Sequence, residues 1–159
     1  MKSSKNSGFM VVEILIAVSI ITVSVLATMF VAQKSIHVSR QAFHSAQAAF
    51  LLEEGAEAVR IVRDNAWSNV SGLVNGTTYY PTFSAGTWTL STTTSNIVGI
   101  FNRSVTVDGV NRDNTTKDIV SSGGVSDTGT RLVTVTVSWQ EGSTTVSKSL
   151  QFYIMDIFS

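Results

Sequence analysis

The amino-acid sequence predicts an α+β fold: a long N-terminal helix, membrane-spanning in its first half and amphipathic in its second, packed on a small antiparallel β-sheet head. Residues 14–32 are uncharged and mostly apolar. Residues 33–64 keep a helical apolar period without a proline. Residues 65–159 are rich in threonine, serine, glycine, valine and aromatic residues, which is typical of strands and turns. We therefore predict one helix over 9–64, transmembrane over about 9–32, followed by an extracytoplasmic head.

The net charge and the absence of cysteine exclude several classes of function. The chain has 159 residues, the length of one domain, and 11 basic residues balance 11 acidic ones. This zero net charge gives no electrostatic footprint for nucleic acid. Cysteine is absent, so disulfides, thiolate metal sites and cysteine nucleophiles are excluded.

The apolar run is long enough and apolar enough to enter a bilayer. About nineteen residues at 1.5 Å each cross a hydrocarbon core of roughly 30 Å. Its eleven or so Ile, Leu, Val and Phe residues favour insertion by roughly 3–7 kcal/mol in total. Glu13 opposes insertion by at most about 2.5–3.5 kcal/mol, because it lies near the end of the run. The sequence therefore predicts insertion.

Glu13 is unusual for its position. Phe9, Met10, Val11 and Val12 are apolar, so apolar residues flank this carboxylate on both sides. Carboxylates in membrane segments usually face a partner rather than lipid. An alternative interpretation is that the span begins at Ile14 and Glu13 marks the headgroup boundary.

The first eight residues form a basic, polar leader. Lys2 and Lys5 predict a cytoplasmic N-terminus by the positive-inside bias, with Lys34 and later residues outside. A conventional secretory signal is the alternative, but the apolar run is too long for one. A cut near Ala27 would also lack the small residue required two positions earlier, where Val25 stands.

Gly8-Phe9 followed by Glu13, after a lysine-bearing leader and before an uninterrupted apolar helix, resembles the N-terminal signature of type IV pilins and pseudopilins. The likeness covers about residues 5–32 and is closest to a minor pilin-like protein. It implies that a prepilin peptidase cuts between Gly8 and Phe9 and methylates the new Phe9 amine. It also implies that Glu13 pairs with the N-terminal amine of a neighbouring subunit. Many pilins have a proline in this apolar segment, and this chain has none there.

The physics of this pairing does not depend on the family. A medium of low dielectric disfavours a lone carboxylate, whereas a nearby ammonium stabilises it as an ion pair. Cutting before Phe9 creates an ammonium at the depth of Glu13. We therefore expect processing to act as an assembly switch.

The second half of the predicted helix carries a drifting apolar stripe. Glu57–Arg60 and Arg60–Asp64 have the spacing of helix-surface ion pairs. Gly55 indicates close packing of a strand, with simple tolerance of glycine as the alternative. The stripe comprises Ile36, Phe43, Ala46 and Phe50, and then Ala48, Leu51, Gly55, Ala58 and Val62.

Four segments of the head alternate between apolar and polar residues: 87–91, 101–107, 131–139 and 146–154. The last two are predicted to form a hairpin across Glu141-Gly142-Ser143. One apolar face of such a sheet must be covered, and the amphipathic part of the helix is available to cover it.

Residues 108–129 are predicted to form a polar loop, as are 92–95 and 72–80. Loops of that length are usually functional or disordered. The first loop carries oxygen atoms that could ligate calcium, but their spacing fits no EF-hand. We therefore predict a mobile tip and no metal site, with calcium binding as the alternative. These ligands are Asp108, Asn111, Asp113 and Asp118.

No catalytic constellation is visible. His37 and His44 stand two helical turns apart, too far for joint ligation of one metal ion. No nucleophile elbow or phosphate loop is present. We expect a non-enzymatic chain without cofactor, nucleic-acid or small-molecule substrate. Its expected partners are prepilin peptidase, other pilin or pseudopilin subunits and the inner membrane.

The expected function is that of a structural subunit of a type IV pilus or pseudopilus filament. It would be held in the inner membrane with its N-terminus cytoplasmic and then drawn into a surface or periplasmic filament. One alternative is a permanently anchored single-pass binding or adhesion domain. An adhesin at a filament tip is another.

Overall fold

A computed structural model describes residues 7–94 and 96–157 of the chain. Two helices come first, α1 (Ser7–Asn65) and α2 (Ser68–Ser71). Seven strands follow: β1 (Tyr80–Ser84), β2 (Thr87–Ser91), β3 (Asn96–Val98), β4 (Phe101–Arg112), β5 (Ile119–Val120), β6 (Val125–Glu141) and β7 (Thr144–Met155). The chain divides into two compact units, Met1–His44 and Ser45–Ser159. The predicted helix and the α+β class are confirmed.

The described part of the first unit, residues 7–44, is helical, and its segment 14–32 carries no charged residue on any side. Residues 9–43 are all exposed in the isolated chain. By length and composition, the helix from Phe9 qualifies as a single candidate membrane span near the N-terminus. Four hydroxyls in this segment donate hydrogen bonds to carbonyls three or four residues earlier in the helix, so none of these four donors is left without an acceptor. They belong to Ser19, Thr22, Ser24 and Thr28.

The second unit is built around an antiparallel sheet of order β3-β4-β6-β7, with β5 added beside β4. Val105 pairs with Val135, and Val135 pairs with Leu150, so one face of the sheet carries apolar side chains across three strands. Residues 48–62 of α1, about four helical turns, cover this face and complete the core. The buried helix residues are Ala48, Leu52, Ala56, Ala58, Val59 and Val62.

The β6–β7 hairpin was predicted correctly. Glu141 pairs with Thr144, which leaves a turn of Gly142 and Ser143. Gly142 has a φ of 64°, a conformation that glycine adopts without a steric penalty.

The predicted loop over residues 108–129 is wrong. Strand β4 continues to Arg112, β5 pairs with it, and β6 already begins at Val125. Gly109 pairs with Arg131 whereas Val110 pairs with Asp127, so residues 128–130 bulge out of the ladder. The polar sequence concealed these strands, because backbone pairing does not require apolar side chains. Strand β1 lies partly in another predicted loop, and Ser95 of a third lies outside the described residues.

Two details of the predicted helix surface also differ. Ile36, Phe43 and Phe50 are 62–71% exposed, so the first part of the apolar stripe is not buried. Arg60 pairs with Glu57 at 3.2 Å, but Asp64 pairs with Arg63 instead. Arg60 also lies over the ring of Phe152, 5.2 Å from its centroid.

Candidate functional site

The predicted processing and assembly residues all lie at the start of α1. The helix begins at Ser7, so the Gly8–Phe9 bond falls within its first turn. The Phe9 side chain is 79% exposed, and Glu13 is exposed one turn further on. Four residues of helix place them about 6 Å apart along the axis.

Glu13 has no ion pair or hydrogen bond within the part of the chain that the structure describes. Lys2 and Lys5 of the predicted leader lie outside the described residues. The site therefore consists of a peptide bond at a helix start and an acid one turn beyond it.

The second unit contains a buried arginine that joins the helix to the sheet. Arg103 on β4 is 1% exposed, and its Nη1 donates to Glu54 Oε2 at 2.7 Å. The same nitrogen donates to the Leu51 carbonyl at 3.2 Å, and the guanidinium lies over the ring of Trp88. A buried guanidinium requires such partners, because desolvation without them is costly.

The absence of a side chain at Gly55 leaves space for the aliphatic part of Arg103. A Cβ at position 55 would lie 2.7 Å from Val135 Cγ1 and 2.8 Å from Arg103 Cδ. The prediction that a strand packs close to Gly55 is confirmed. Arg103 itself was missed, although it occupies an inward position between Phe101 and Val105 in a strand with a two-residue period.

A second polar cluster closes the β4–β6 bulge. Arg112 Nε donates to Asp127 Oδ2 at 2.6 Å, and Arg112 Nη2 donates to the Thr130 hydroxyl at 3.2 Å. The Gly129 N–H donates to Asp127 Oδ1 at 2.8 Å. The Thr130 hydroxyl, then Arg112 and the Gly129 N–H, lower the pKa of Asp127 to about 2.

Among the possible oxygen ligands of residues 108–118, Asp113 accepts hydrogen bonds from its own turn. Asp113 Oδ1 accepts the backbone N–H groups of Thr116 and Thr115, which lower the pKa of Asp113. Among the residues that the structure describes, no three His, Asp or Glu side chains are grouped so that they could hold a metal ion. His37 and His44 remain two turns apart on α1.

These features define a chain with a membrane-length N-terminal helix whose last turns pack on a small antiparallel sheet, the general architecture of pilin-like proteins. Comparison with protein-family models, curated proteins and solved structures gave no match.

Proposed function

We propose that this protein is a structural subunit of a type IV pilus or of a type II secretion-like pseudopilus. The observation that carries the proposal is Glu13: an exposed acid one turn beyond Gly8-Phe9, at the start of an apolar helix of membrane length. The architecture of the second unit is compatible with such a subunit.

Assembly would follow from the change in charge at the N-terminus. A prepilin peptidase would cut between Gly8 and Phe9 and methylate the new amine. In the membrane, the Glu13 carboxylate is costly until a cation reaches it. The Phe9 ammonium of a neighbouring subunit supplies that cation, so removal of the leader and subunit addition are coupled.

The proposed location follows from the same scheme. The subunit waits in the inner membrane with its N-terminus cytoplasmic, and the filament then carries the second unit to the periplasm or cell surface. The proposed partners are the peptidase, sister subunits and the membrane itself.

Replacement of Glu13 tests the pairing. Glu13→Ala should insert and be processed normally but should be absent from purified filaments, because the neighbour's ammonium has no partner. Ser19→Ala is the matched control, since the Ser19 hydroxyl bonds only the Leu15 carbonyl of its own helix. Mass spectrometry of the N-terminus would measure processing, and immunoblots of sheared fibres would measure assembly. Incorporation of Glu13→Ala at the wild-type level would refute the pairing role.

The second candidate is a permanently anchored binding domain. It is favoured by a groove in the second unit, lined by Trp88, Leu90 and the amide side chains of Asn65 and Asn69. N-terminal sequencing separates the two functions. An N-methylated Phe9 supports the filament subunit, whereas an intact Met1 in every copy supports the anchored domain.

A further inference from the structure

The second unit contains a groove that the proposed assembly does not use. It has a volume of about 300 Å³, at the lower limit of ligand pockets. One wall comes from the last turn of α1 and from α2, with Val62, Asn65 and Asn69. The other wall is residues 87–90 of β2.

Strand β2 lines the groove with its edge. Thr87, Trp88, Thr89 and Leu90 are consecutive, whereas one face of a strand would contribute only alternate residues. Strand β2 pairs with β1 in a two-stranded sheet, and no other described strand pairs with it.

The hairpin turn shows which backbone groups are available at that edge. Ser84 pairs with Thr87 across the turn of Ala85 and Gly86, whose φ angles of 51° and 81° fit a two-residue type I′ turn. The pair that closes such a turn exchanges backbone hydrogen bonds, and the pattern then alternates along the strand. The N–H and C=O groups of Trp88 and Leu90 therefore point away from β1.

The opposite wall carries side-chain amides. Asn69 Nδ2 donates to the Val62 carbonyl at 3.3 Å, which leaves its Oδ1 as an acceptor. Asn65 is exposed and its amide has no hydrogen-bond partner among the described residues. A side-chain amide offers the same donor and acceptor as a peptide group. No residue that lines the groove carries a charge.

We propose that this groove binds an extended, uncharged peptide segment as a third strand beside β2. The groups of Trp88 and Leu90 recur at the two-residue spacing of a strand and pair with the inner edge of the peptide. The side-chain amides of Asn65 and Asn69 hydrogen-bond the N–H and C=O groups on the outer edge of the peptide, which would otherwise need a fourth strand. Neutral lining selects against charged segments, since no counter-charge offsets their desolvation. The site is independent of filament assembly.

Nuclear magnetic resonance of the full chain in detergent micelles tests the site. The probes are blocked pentapeptides composed of glycine, serine, threonine, valine and asparagine. Cellobiose and chitobiose are tested beside them as uncharged ligands that are not peptides. We expect at least one peptide to shift the backbone amide signals of Trp88 and Leu90 saturably. If no peptide saturates at millimolar concentration, or if only a saccharide shifts these signals, the peptide site is wrong.

Leu90→Pro removes one N–H from the free edge and leaves the bonds to β1 in place. It should weaken peptide binding tenfold or more, whereas Leu90→Ala, which keeps the N–H, should bind within threefold of wild type. Gln151→Pro is the matched control for a proline on a free strand edge away from the groove. By the same alternation, the Gln151 N–H faces the free edge of β7. Asn65→Leu should also weaken binding, and this variant decides the matter if Leu90→Pro misfolds. Wild-type affinity in Asn65→Leu and in a folded Leu90→Pro would overturn the proposal.

Discussion

At Gly55 the absence of a side chain allows α1 to approach the sheet. Val135 of β6 and the aliphatic part of Arg103 occupy the space that a Cβ would need. Arg103 can then reach the Leu51 carbonyl and Glu54, whose side chain is 47% exposed. One small residue therefore permits both the close packing and the buried ion pair.

Gly55→Ala should destabilise the protein even though alanine is the better helix former. The helix propensity favours alanine by about 1 kcal/mol, but overpacking in a core costs typically about 1–3 kcal/mol. We expect a net loss of about 1 kcal/mol in the free energy of unfolding, measured by denaturant titration in micelles. Glu53→Ala is the control on the exposed side of the same turn, and it should change stability by less than about 0.5 kcal/mol.

A double-mutant cycle with Val135→Ala identifies the cause. That change removes Cγ1, the atom nearest to the added Cβ. The penalty of Gly55→Ala should shrink in this background, because the two sites are in contact. An unchanged penalty would show that the clash with Val135 is not its source.

The close packing at Gly55 could be predicted from the sequence, whereas the burial of Arg103 could not. A glycine in a helix interior is unfavourable unless something packs there, so its presence carries information about a neighbour. A charged residue in a strand is normally placed on the solvent side, and no local signal shows that Glu54 and Trp88 lie opposite it. Only the strict alternation of Phe101, Arg103, Val105 and Val107 indicated an inward arginine.

At the scale of elements, the centres of the strands could be predicted and their ends could not. Residues 131–139 alternate clearly because every second side chain enters the core. The polar ends of these strands, residues 110–112 of β4 and 125–130 of β6, show no such alternation of apolar and polar residues. The Arg112–Asp127 pair helps to hold these ends together, and a pair formed across a bulge has no sequence signature.

Asp127→Asn should destabilise the paired ends of β4 and β6 in a pH-dependent way. The pKa of Asp127 is about 2 in the folded chain, below its ordinary value of 3.8. Its charged form therefore stabilises the fold above about pH 4, and this contribution is lost as the pH falls through 2. After allowance for solvent screening at a partly exposed pair, we expect a loss of about 1 kcal/mol at pH 7.

The difference in unfolding free energy between wild type and Asp127→Asn should shrink between pH 4 and pH 2. Denaturant titrations at pH 7, 4 and 2.5 would measure it. Asp118→Asn controls for the loss of one charge, because Asp118 is an exposed acid in the segment that joins β4 to β5. A difference that stays constant from pH 7 to pH 2.5 would contradict the role given to the Asp127 charge.

For the whole molecule, the two units require different surroundings. The second unit buries its own apolar residues, from Ala48 to Ile154. The first unit exposes apolar side chains on every side over residues 14–32, and an apolar surface of that length is unfavourable in water. The sequence predicted a membrane-length apolar segment and an alternating sheet, because a long charge-free run and a two-residue alternation are both local signals. The groove beside β2 was not predictable, since it depends on how a hairpin lies against a helix end.

Paired arginines inside and outside the apolar run test membrane insertion. Ile20→Arg with Val23→Arg should release the protein from membranes, because two central charges cost about 5–7 kcal/mol and match the roughly 3–7 kcal/mol that favours insertion. Ile36→Arg with Val38→Arg is the matched control, since all four side chains are more than half exposed and the control pair lies beyond the span. Extraction of membranes with alkaline carbonate would leave wild type and the control pair in the pellet and the central pair in the supernatant. If both pairs partition alike, residues 14–32 are not the segment that anchors the chain.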